Sequence, residues 1–244
     1  MGAERRIGGT GTVASPGVDL PEPSPRRTGP GSKPRVDLEK RREEYIRVAS
    51  VVFLQRGLNV ATMQDVADAA GARKVLFYRV FKSKQALLEA ILERVIEAIH
   101  AAYAQKTYVY GMRALQLAHA AKDCPEIFLL VLRYSRAGVE QGDWGKRVAD
   151  TIAGYTRERW FEPSPDAPPG AEDRAEQASR LNVPSVIDTV IAWIENRDGL
   201  DDETRLRWWG RISREYHLGS REAYRLGPAK AVIPLPGDSD APSN

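Results

Sequence analysis

Apolar residues recur at intervals of three and four along most of this chain, which is the spacing of a helix that buries one face. The first such stripe consists of Tyr45, Val48, Ala49, Val52 and Phe53. No long segment alternates apolar and polar residues, as a half-buried β-strand would. The pattern predicts an all-α fold.

Three helices are expected around a glycine turn in the N-terminal third. The first should begin at the N-cap Asp37 and end at Gly57. Thr62 opens a short second helix, with Asp65 three residues on in a variant of the capping box. Gly71 would close this helix with a left-handed cap, and a third helix begins within two residues. This order predicts a helix-turn-helix.

The rest of the chain also has a helical pattern. Ser83 is the N-cap candidate of a long helix that continues to about Gln105. Further helices are expected over residues 112–121, 126–139, 144–161, 184–196 and 201–226. Residues 162–175 are rich in proline, which favours a mobile loop.

Both ends of the chain are rich in glycine, proline and serine, so residues 1–36 and 228–244 are expected to be disordered tails. The N-terminal tail has more basic than acidic residues and could touch a phosphate backbone; the alternative is a solvated tail. Between the tails, we expect a three-helix DNA-binding domain at 37–84 joined to a larger helical regulatory and dimerisation domain at 85–227.

Composition excludes several classes of protein. Cys124 is the only cysteine, so no internal disulfide can form. No apolar run approaches the roughly 20 residues that span a bilayer, and no signal-peptide pattern opens the chain. We therefore expect a cytoplasmic protein, nucleoid-associated if it binds DNA, with no membrane partner.

Positive charge is concentrated beside the glycine turn, although the whole chain carries only +3. The segment from residue 73 to residue 84 has no acidic residue, and its basic residues are Arg73, Lys74, Arg79, Lys82 and Lys84. The side chains expected to clamp the two short helices together are Val66, Ala67, Phe77 and Phe81. A clamped helix with outward cations predicts a DNA-binding surface; an ordinary solvated face is the alternative.

One constellation of residues spans the three N-terminal helices: Ile46, Ala49, Phe53, Gly57, Thr62, Val66, Ala67, Ala70, Gly71, Tyr78, Phe81, Lys84 and Leu87. With it, residues 45–87 resemble the N-terminal domain of the TetR family of transcriptional regulators. The resemblance covers about a fifth of the chain. It implies a homodimer that binds a palindromic operator in double-stranded DNA and answers to a small-molecule effector, with repression as the family default and activation as the other possibility.

The resemblance also implies roles for particular residues. The implied DNA-binding residues are Thr62, Arg73, Lys74, Leu76, Tyr78 and Lys84. Thr62, Tyr78 and Lys84 would donate to phosphates, and the other three would face base edges. Two simpler interpretations stay open, in which Thr62 is only a helix cap and Tyr78 is a core aromatic.

Several positions depart from the family pattern. Val75 stands where a glycine is common, and Val80 stands where a histidine is common. Val75 could hold the helix backbone away from DNA, or it could pack on a base methyl group. The alternative function is therefore a helical ligand-binding or protein-interaction module that has lost sequence-specific DNA binding.

For the C-terminal part, the resemblance implies an effector pocket and a dimer interface. The candidate pocket residues are Tyr103, Met112, Phe128, Arg133, Tyr134, Tyr155 and Trp193, with Arg133 suited to an acidic effector. The alternatives are that the aromatic residues belong to the core and that Arg133 faces solvent or forms an ion pair. The candidate interface residues are Ile187, Val190, Ile191, Ile194, Leu206, Trp209 and Gly210. The alternative is that these apolar residues belong to one monomeric core.

The sequence argues against an enzyme. The three histidines, His100, His119 and His217, lie far apart, and no metal-binding motif, glycine-rich phosphate loop or nucleophile motif is present. We expect no catalytic residue, no metal and no cofactor.

Overall fold

The computed structural model describes residues 34–105, 109–136 and 143–229 together with residue 235. All regular secondary structure in these residues is helical, which confirms the predicted all-α fold. The helices are α1 (Pro34–Arg56), α2 (Met63–Ala69), α3 (Lys74–Val80), α4 (Lys84–Ala104), α5 (Met112–Ala120), α6 (Pro125–Arg136), α7 (Trp144–Thr156), α8 (Ala171–Glu195) and α9 (Asp202–Ala223). A π-helical turn, Arg157–Phe161, extends α7.

Some predictions lie outside the described residues. These are most of the N-terminal tail (1–33), the expected end of the helix at Val139, and the C-terminal tail at 230–234 and 236–244. None of the described helices is long and apolar enough to cross a membrane.

The first helix buries the predicted stripe. Tyr45, Val48, Ala49, Val52 and Phe53 are all buried, with Ala49 and Phe53 at 0% exposure. They form one core with α2, α3 and α4, because Val66, Ala67, Phe77 and Leu87 are fully buried beside them. The amphipathic pattern therefore predicted the buried face of α1 correctly.

The boundaries of α1 show one agreement and one correction. The helix ends before Gly57, whose φ of +84° suits a residue without a Cβ. It begins at Pro34, so the prediction that Asp37 is the N-cap is wrong. Proline is favoured in the first turn of a helix, because the N–H that it lacks would have no helical partner there.

Helix α4 starts where it was predicted to start. The Ser83 hydroxyl oxygen accepts a hydrogen bond from the Ala86 nitrogen at 3.1 Å, which caps the helix. The helix then packs against α1, α5, α6 and α7, and its buried face includes Leu88, Ile91 and Leu92. It is the central element between the two parts of the molecule.

Helix α6 also joins the two parts, because it packs along α1. Near its C-terminal end, the Tyr134 hydroxyl accepts a hydrogen bond from the Leu58 nitrogen at 3.1 Å. Leu58 follows Gly57 in the connection between α1 and α2. The larger helical part is therefore attached directly to the segment that leads into α2.

Helix α8 corrects two predictions. It begins at Ala171, so the proline-rich loop ends at residue 170, and it runs through Pro184, which was expected to start a helix. Ala171, Ala175 and Ala178 are buried in a small second core with Phe161 and Leu226, which stabilises the first turns of α8. Pro184 is exposed, so the carbonyl that its missing N–H leaves unpaired can bond to water.

Arg221 fixes the end of α9. The side chain is buried, and it donates hydrogen bonds to five backbone carbonyl oxygens. The acceptors are Trp160 (2.9 Å), Glu162 (2.9 Å), Leu226 (3.0 Å), Gly227 (3.0 Å) and Pro228 (2.7 Å). This arginine ties the segment after α9 to the π-helical turn.

Candidate nucleic-acid interface

The turn between α2 and α3 depends on a glycine. Gly71 has a φ of +58°, in the left-handed region, and a Cβ there would meet nothing within 4 Å. Backbone conformation, not crowding, is therefore the reason for glycine. The Gly71 nitrogen donates to the Asp68 oxygen at 3.0 Å, and the Ala72 nitrogen donates to the Ala67 oxygen at 2.9 Å, which closes α2.

Two aromatic side chains hold α3 in place. Phe77 is 0% exposed and Phe81 is buried at the end of the helix. The Phe77 ring lies 5.0 Å from the ring of Tyr45 in α1, centroid to centroid. One side of α3 is therefore fixed to the core, and the other side is free to meet a partner.

Four of the six predicted DNA-binding residues share this outward side. Arg73, Lys74, Leu76 and Tyr78 are exposed, Leu76 at 39% and Tyr78 at 37%. One edge of the Tyr78 ring packs on Phe77, with the centroids 6.1 Å apart, so Tyr78 is neither a core aromatic nor a fully free side chain. The DNA contacts of these four residues stay predictions.

The cations of this surface have no acidic partners. Among the described residues, no carboxylate forms an ion pair with Arg73, Lys74, Arg79 or Lys82. The Lys74 ammonium instead lies 6.0 Å from the centre of the Tyr78 ring. Because no carboxylate neutralises these four side chains, their positive charge is available to an external anion.

Thr62 acts as a helix cap. Its hydroxyl oxygen accepts from the Asp65 nitrogen at 3.2 Å, and its hydroxyl donates to the Asp65 carboxylate at 2.7 Å. Its backbone nitrogen donates to the same carboxylate at 2.7 Å, and Arg56 pairs with the other carboxylate oxygen at 2.5 Å. The only hydroxyl proton of Thr62 is thus already used, which differs from the phosphate contact implied by the resemblance.

These contacts shift the titration of Asp65. Hydrogen bonds from the backbone and the side chain of Thr62, together with the charge of Arg56, lower the pKa of Asp65 below its ordinary value. The carboxylate is therefore ionised at neutral pH and repels phosphate close to Thr62.

Lys84 points into the domain. Its ammonium donates to the carbonyl oxygens of Leu58 and Ala61, the latter at 2.6 Å, and lies 5.6 Å from the centre of the Phe53 ring. It therefore fixes the connection between α1 and α2. The outward phosphate contact implied by the resemblance does not match this geometry.

Two outward residues were missing from the predicted set. Val75 and Arg79 both lie on α3 opposite the buried Phe77, and Val75 is 74% exposed. Spacing alone could have found them, because residues two positions away from an anchoring side chain on either side lie across the helix from it.

The predicted pocket residues do not surround one cavity. Tyr103 lines a cavity of about 50 Å³, Phe128 lines a smaller apolar one, and Trp193 lines an open cleft of about 460 Å³. Tyr134 bonds to Leu58, and Arg133 pairs with Glu195. The single pocket predicted from Tyr103, Met112, Phe128, Arg133, Tyr134, Tyr155 and Trp193 is therefore wrong, because these side chains diverge from their helices into separate regions.

Two of these residues do meet. The rings of Tyr103 and Tyr155 stack with centroids 4.6 Å apart, and the Tyr155 hydroxyl lies 2.7 Å from His100 Nδ1. The Arg113 guanidinium lies 5.2 Å from the centre of the Tyr103 ring. Burial raises the pKa of Tyr103 and lowers the pKa of Arg113.

The same cavity is lined by His217 on α9. The His217 ring is buried, and its Nδ1 shares a hydrogen bond of 2.7 Å with the Tyr110 hydroxyl. Burial lowers the pKa of His217 to about 4, so the ring is neutral at physiological pH. Trp160 stacks on Tyr110 at 4.8 Å, which completes an aromatic wall. In the described part of the chain, no group of three or more potential metal ligands is assembled.

The predicted interface residues lie largely inside the protomer. Ile187, Val190 and Ile191 are buried in the main core, and Gly210 is buried as well. Ile194, Leu206 and Trp209 are partly buried against the same core. Ile187, Val190 and Ile191 therefore face α5, α6 and α7 within the protomer, whereas a role of Ile194, Leu206 and Trp209 in a dimer interface stays a prediction.

Other apolar side chains are exposed on the last two helices. Trp208 and Ile212, one turn apart on α9, are 61% and 40% exposed, and Leu181 on α8 is 60% exposed. The sequence offered a signal for them, since each lies out of phase with the buried stripe of its own helix.

Comparison with known proteins finds relatives of the N-terminal helices. The family model for bacterial regulatory proteins of the tetR family matches residues 46–91, which run from α1 into α4. The HTH-type transcriptional repressor KstR2 of Mycolicibacterium smegmatis is 35% identical over 65 residues, 27% of this chain and 32% of that protein. The HTH-type transcriptional activator FasR of the same organism is 38% identical over 63 residues, 26% and 29% of the two chains.

These alignments span about a third of the length of the curated relatives. Among solved structures, a TetR-family transcriptional regulator from Pectobacterium atrosepticum is 20% identical with a TM-score of 0.42, covering 81% of this chain and all of that one. The ketosteroid transcriptional regulator KstR2 of Mycobacterium tuberculosis is 18% identical with a TM-score of 0.41, covering 75% and 94%.

The matched segment contains every element of the interface described above: the capped α2, the Gly71 turn, and α3 anchored by Phe77 and Phe81. Residues 46–91 are therefore similar to the N-terminal segment of bacterial regulatory proteins of the tetR family, over about a fifth of this chain.

Proposed function

We propose that this chain is a DNA-binding transcriptional regulator whose α3 enters the major groove of an operator. The observation that carries this proposal is the outward side of α3, where Arg73, Lys74, Arg79 and Lys82 have no acidic partner among the described residues. Phe77 and Phe81 hold that side rigidly away from the core. A rigid helix with unpaired cations is suited to a phosphate-lined groove.

The contacts divide by chemistry. Arg73 and Lys74, at the N-terminal end of α3, can donate to guanine acceptors or to phosphates. The Tyr78 hydroxyl can donate to a phosphate. Thr62 and Lys84 are left out of the proposed contacts, because their donors are already bonded within the domain.

The decisive experiment is selection of bound duplexes from a random pool, with the wild type beside a Lys74→Ala, Tyr78→Phe double variant. We expect the wild type to enrich a palindrome that the double variant does not. Lys146→Ala is the matched control, since it removes one exposed cation from α7, far along the chain from α3. A folded wild type that enriches no sequence would overturn the proposal.

A homodimer is part of the proposal, because two copies of α3 can occupy successive major grooves of a palindrome. Trp208 and Ile212 on α9 and Leu181 on α8 support it as the surface that a second copy would cover. The partly buried Ile194, Leu206 and Trp209 stay in the proposed interface beside them, and the buried Ile187, Val190, Ile191 and Gly210 are left out.

A small-molecule effector is also proposed. The cavity lined by Tyr103, Arg113 and His217 joins the end of α4 to α9, so a ligand there would touch both the central helix and the proposed dimer helix. Its polar groups among aromatic walls suit a ligand with a planar apolar body and a hydrogen-bonding group, and the cavity of about 50 Å³ would have to widen to admit it.

The direction of regulation is proposed as repression relieved by the effector, with the protein acting in the cytoplasm and without catalysis. The relatives include both a named repressor and a named activator. A reporter gene placed behind the selected operator distinguishes the two: expression should rise when the gene for this protein is deleted, and a fall would show activation.

A second function has one observation in its favour. Val75 is 74% exposed at the position where the family commonly has a glycine. If the valine keeps α3 out of the groove, the protein would be a helical ligand-binding or protein-interaction module. The selection experiment separates the two functions.

A further inference from the structure

The outward side of α3 has an apolar centre. With 100° between successive residues, Val75 lies about 160° around the helix from the buried Phe77, and Arg79 lies on the same outward side one turn later. Val75 has the largest exposed fraction among the large apolar side chains of the described residues, 74%. Val75 is therefore at the centre of the surface that α3 presents to a binding partner.

The neighbours of Val75 are of two kinds. Leu76, 39% exposed, continues the apolar surface on one flank. Lys74 and Tyr78 lie on the other flank, where the ammonium is 6.0 Å from the ring centre. This surface combines cations that attract phosphate with a small apolar patch at its centre.

The major groove offers few partners for such a patch. Most groups on the base edges are hydrogen-bond donors or acceptors, and an apolar side chain pressed against them removes their water without replacing the bond. The exception is the C5-methyl group of thymine. A branched side chain without a polar atom is therefore complementary to thymine and to no other unmodified base.

We propose that Val75 is a specificity-determining residue that reads a thymine C5-methyl group in each half of the operator, with Leu76 as a second apolar contact beside it. This inference rests on the proposed function and adds the base that α3 prefers. It also gives a reason for valine at a position where the family commonly has a glycine. The valine prevents the α3 backbone from coming close to the DNA, but its side chain gains a contact with the thymine methyl group.

The test uses the operator obtained by selection. Each thymine in it is replaced in turn by deoxyuridine, which keeps the base pair and removes only the methyl group. We expect one such replacement per half-site to weaken wild-type binding about three- to tenfold, the effect of losing one buried methyl contact. At that position the Val75→Ala variant should bind thymine and deoxyuridine equally, because the apolar partner is gone.

The matched control is Val60→Ala. Val60 is 72% exposed on the connection between α1 and α2, so the same truncation is made at equal exposure but away from α3. This variant should show the full wild-type response to deoxyuridine. Alanine is a better helix former than valine, so Val75→Ala should fold at least as well as the wild type.

Three outcomes would overturn the inference. Wild-type binding that is the same for thymine and deoxyuridine at every position refutes the methyl contact and leaves the regulator intact. An unchanged deoxyuridine effect in Val75→Ala assigns the contact to another residue. A wild type that binds no duplex, with binding gained by Val75→Ala, shows that the valine blocks the groove and refutes the proposed function as well.

Discussion

The hydroxyl of Tyr134 in α6 accepts a hydrogen bond from the backbone nitrogen of Leu58, 3.1 Å away, just past the end of α1. The two residues are far apart in sequence, and the bond joins the larger helical part of the chain to the three N-terminal helices. It is a second connection between these parts besides α4.

Replacing Tyr134 with phenylalanine should reduce the free energy of unfolding by about 1 kcal/mol, because a partly buried N–H loses its acceptor. Urea-induced unfolding measures the change. Tyr78→Phe is the control, since Tyr78 is exposed and its loss of the hydroxyl should leave stability unchanged. Equal stability of the Tyr134 variant and the wild type would show that water replaces the bond.

Substitution of Lys84 should change stability but not the salt dependence of DNA binding, and substitution of Lys74 should do the reverse. Lys84→Met removes two hydrogen bonds to the carbonyls of Leu58 and Ala61, so it should cost about 2 kcal/mol of stability and leave the salt dependence of operator binding unchanged. Lys74→Ala should leave stability unchanged and, if its ammonium contacts a phosphate, reduce the slope of log affinity against log salt by about 0.9. A reduced slope in Lys84→Met would return that lysine to the set of phosphate contacts.

Stability should depend on pH through His217. Its pKa is 6.5 in the unfolded chain and about 4 in the fold, so the unfolded state binds the proton first as the pH falls. The free energy of unfolding is therefore not reduced by His217 above pH 6.5. As the pH falls from 6.5 to 4, protonation of the unfolded chain lowers the free energy of unfolding progressively, by a total of about 3 kcal/mol. Denaturant melts of the wild type and His217→Asn across this window should differ in slope, and parallel curves would show that the ring is already solvated.

The proposed dimer predicts that Trp208→Glu is monomeric. The substitution places a charge on an exposed side chain, so it should separate the copies without unfolding the protomer. Light scattering at micromolar concentration gives the mass of the wild type and the variant. Leu200→Glu, at a 40% exposed residue before α9, should remain a dimer. A monomeric wild type, or a dimeric Trp208→Glu, would contradict the proposed interface.

The sequence was sufficient for three helix N-caps, but not for the start of α1, where Asp37 was predicted. Thr62, Ser83 and Asp201 have short polar side chains followed by apolar periodicity, and each caps a helix in the structure. Local rules of this kind suffice because a cap depends on residues within one turn. Pro184 shows where they fail: the proline alone predicts a break, but burial of Ala171 and Ala175 thirteen and nine residues earlier keeps the helix continuous.

The candidate nucleic-acid interface was also predictable only in part, because some of its contacts are local in sequence and others are not. The outward position of Lys74 and Tyr78 follows from the burial of Phe77, which the apolar pattern indicated. The inward turn of Lys84 does not follow, because its partners Leu58 and Ala61 are 26 and 23 residues away. The burial of Val190 inside the protomer could not be predicted either. The sequence pattern of an apolar stripe is the same whether the stripe packs on its own core or on a second copy of the chain.

One continuous cluster of buried residues runs from Tyr45 in α1 to Trp193 in α8. A break between α3 and α4 would cut through this cluster, so the helix-turn-helix is not a separable folding unit. We expect α2 and α3 to melt together with the larger helical part, so that a molecule that binds and stabilises that part also raises the melting temperature of α2 and α3.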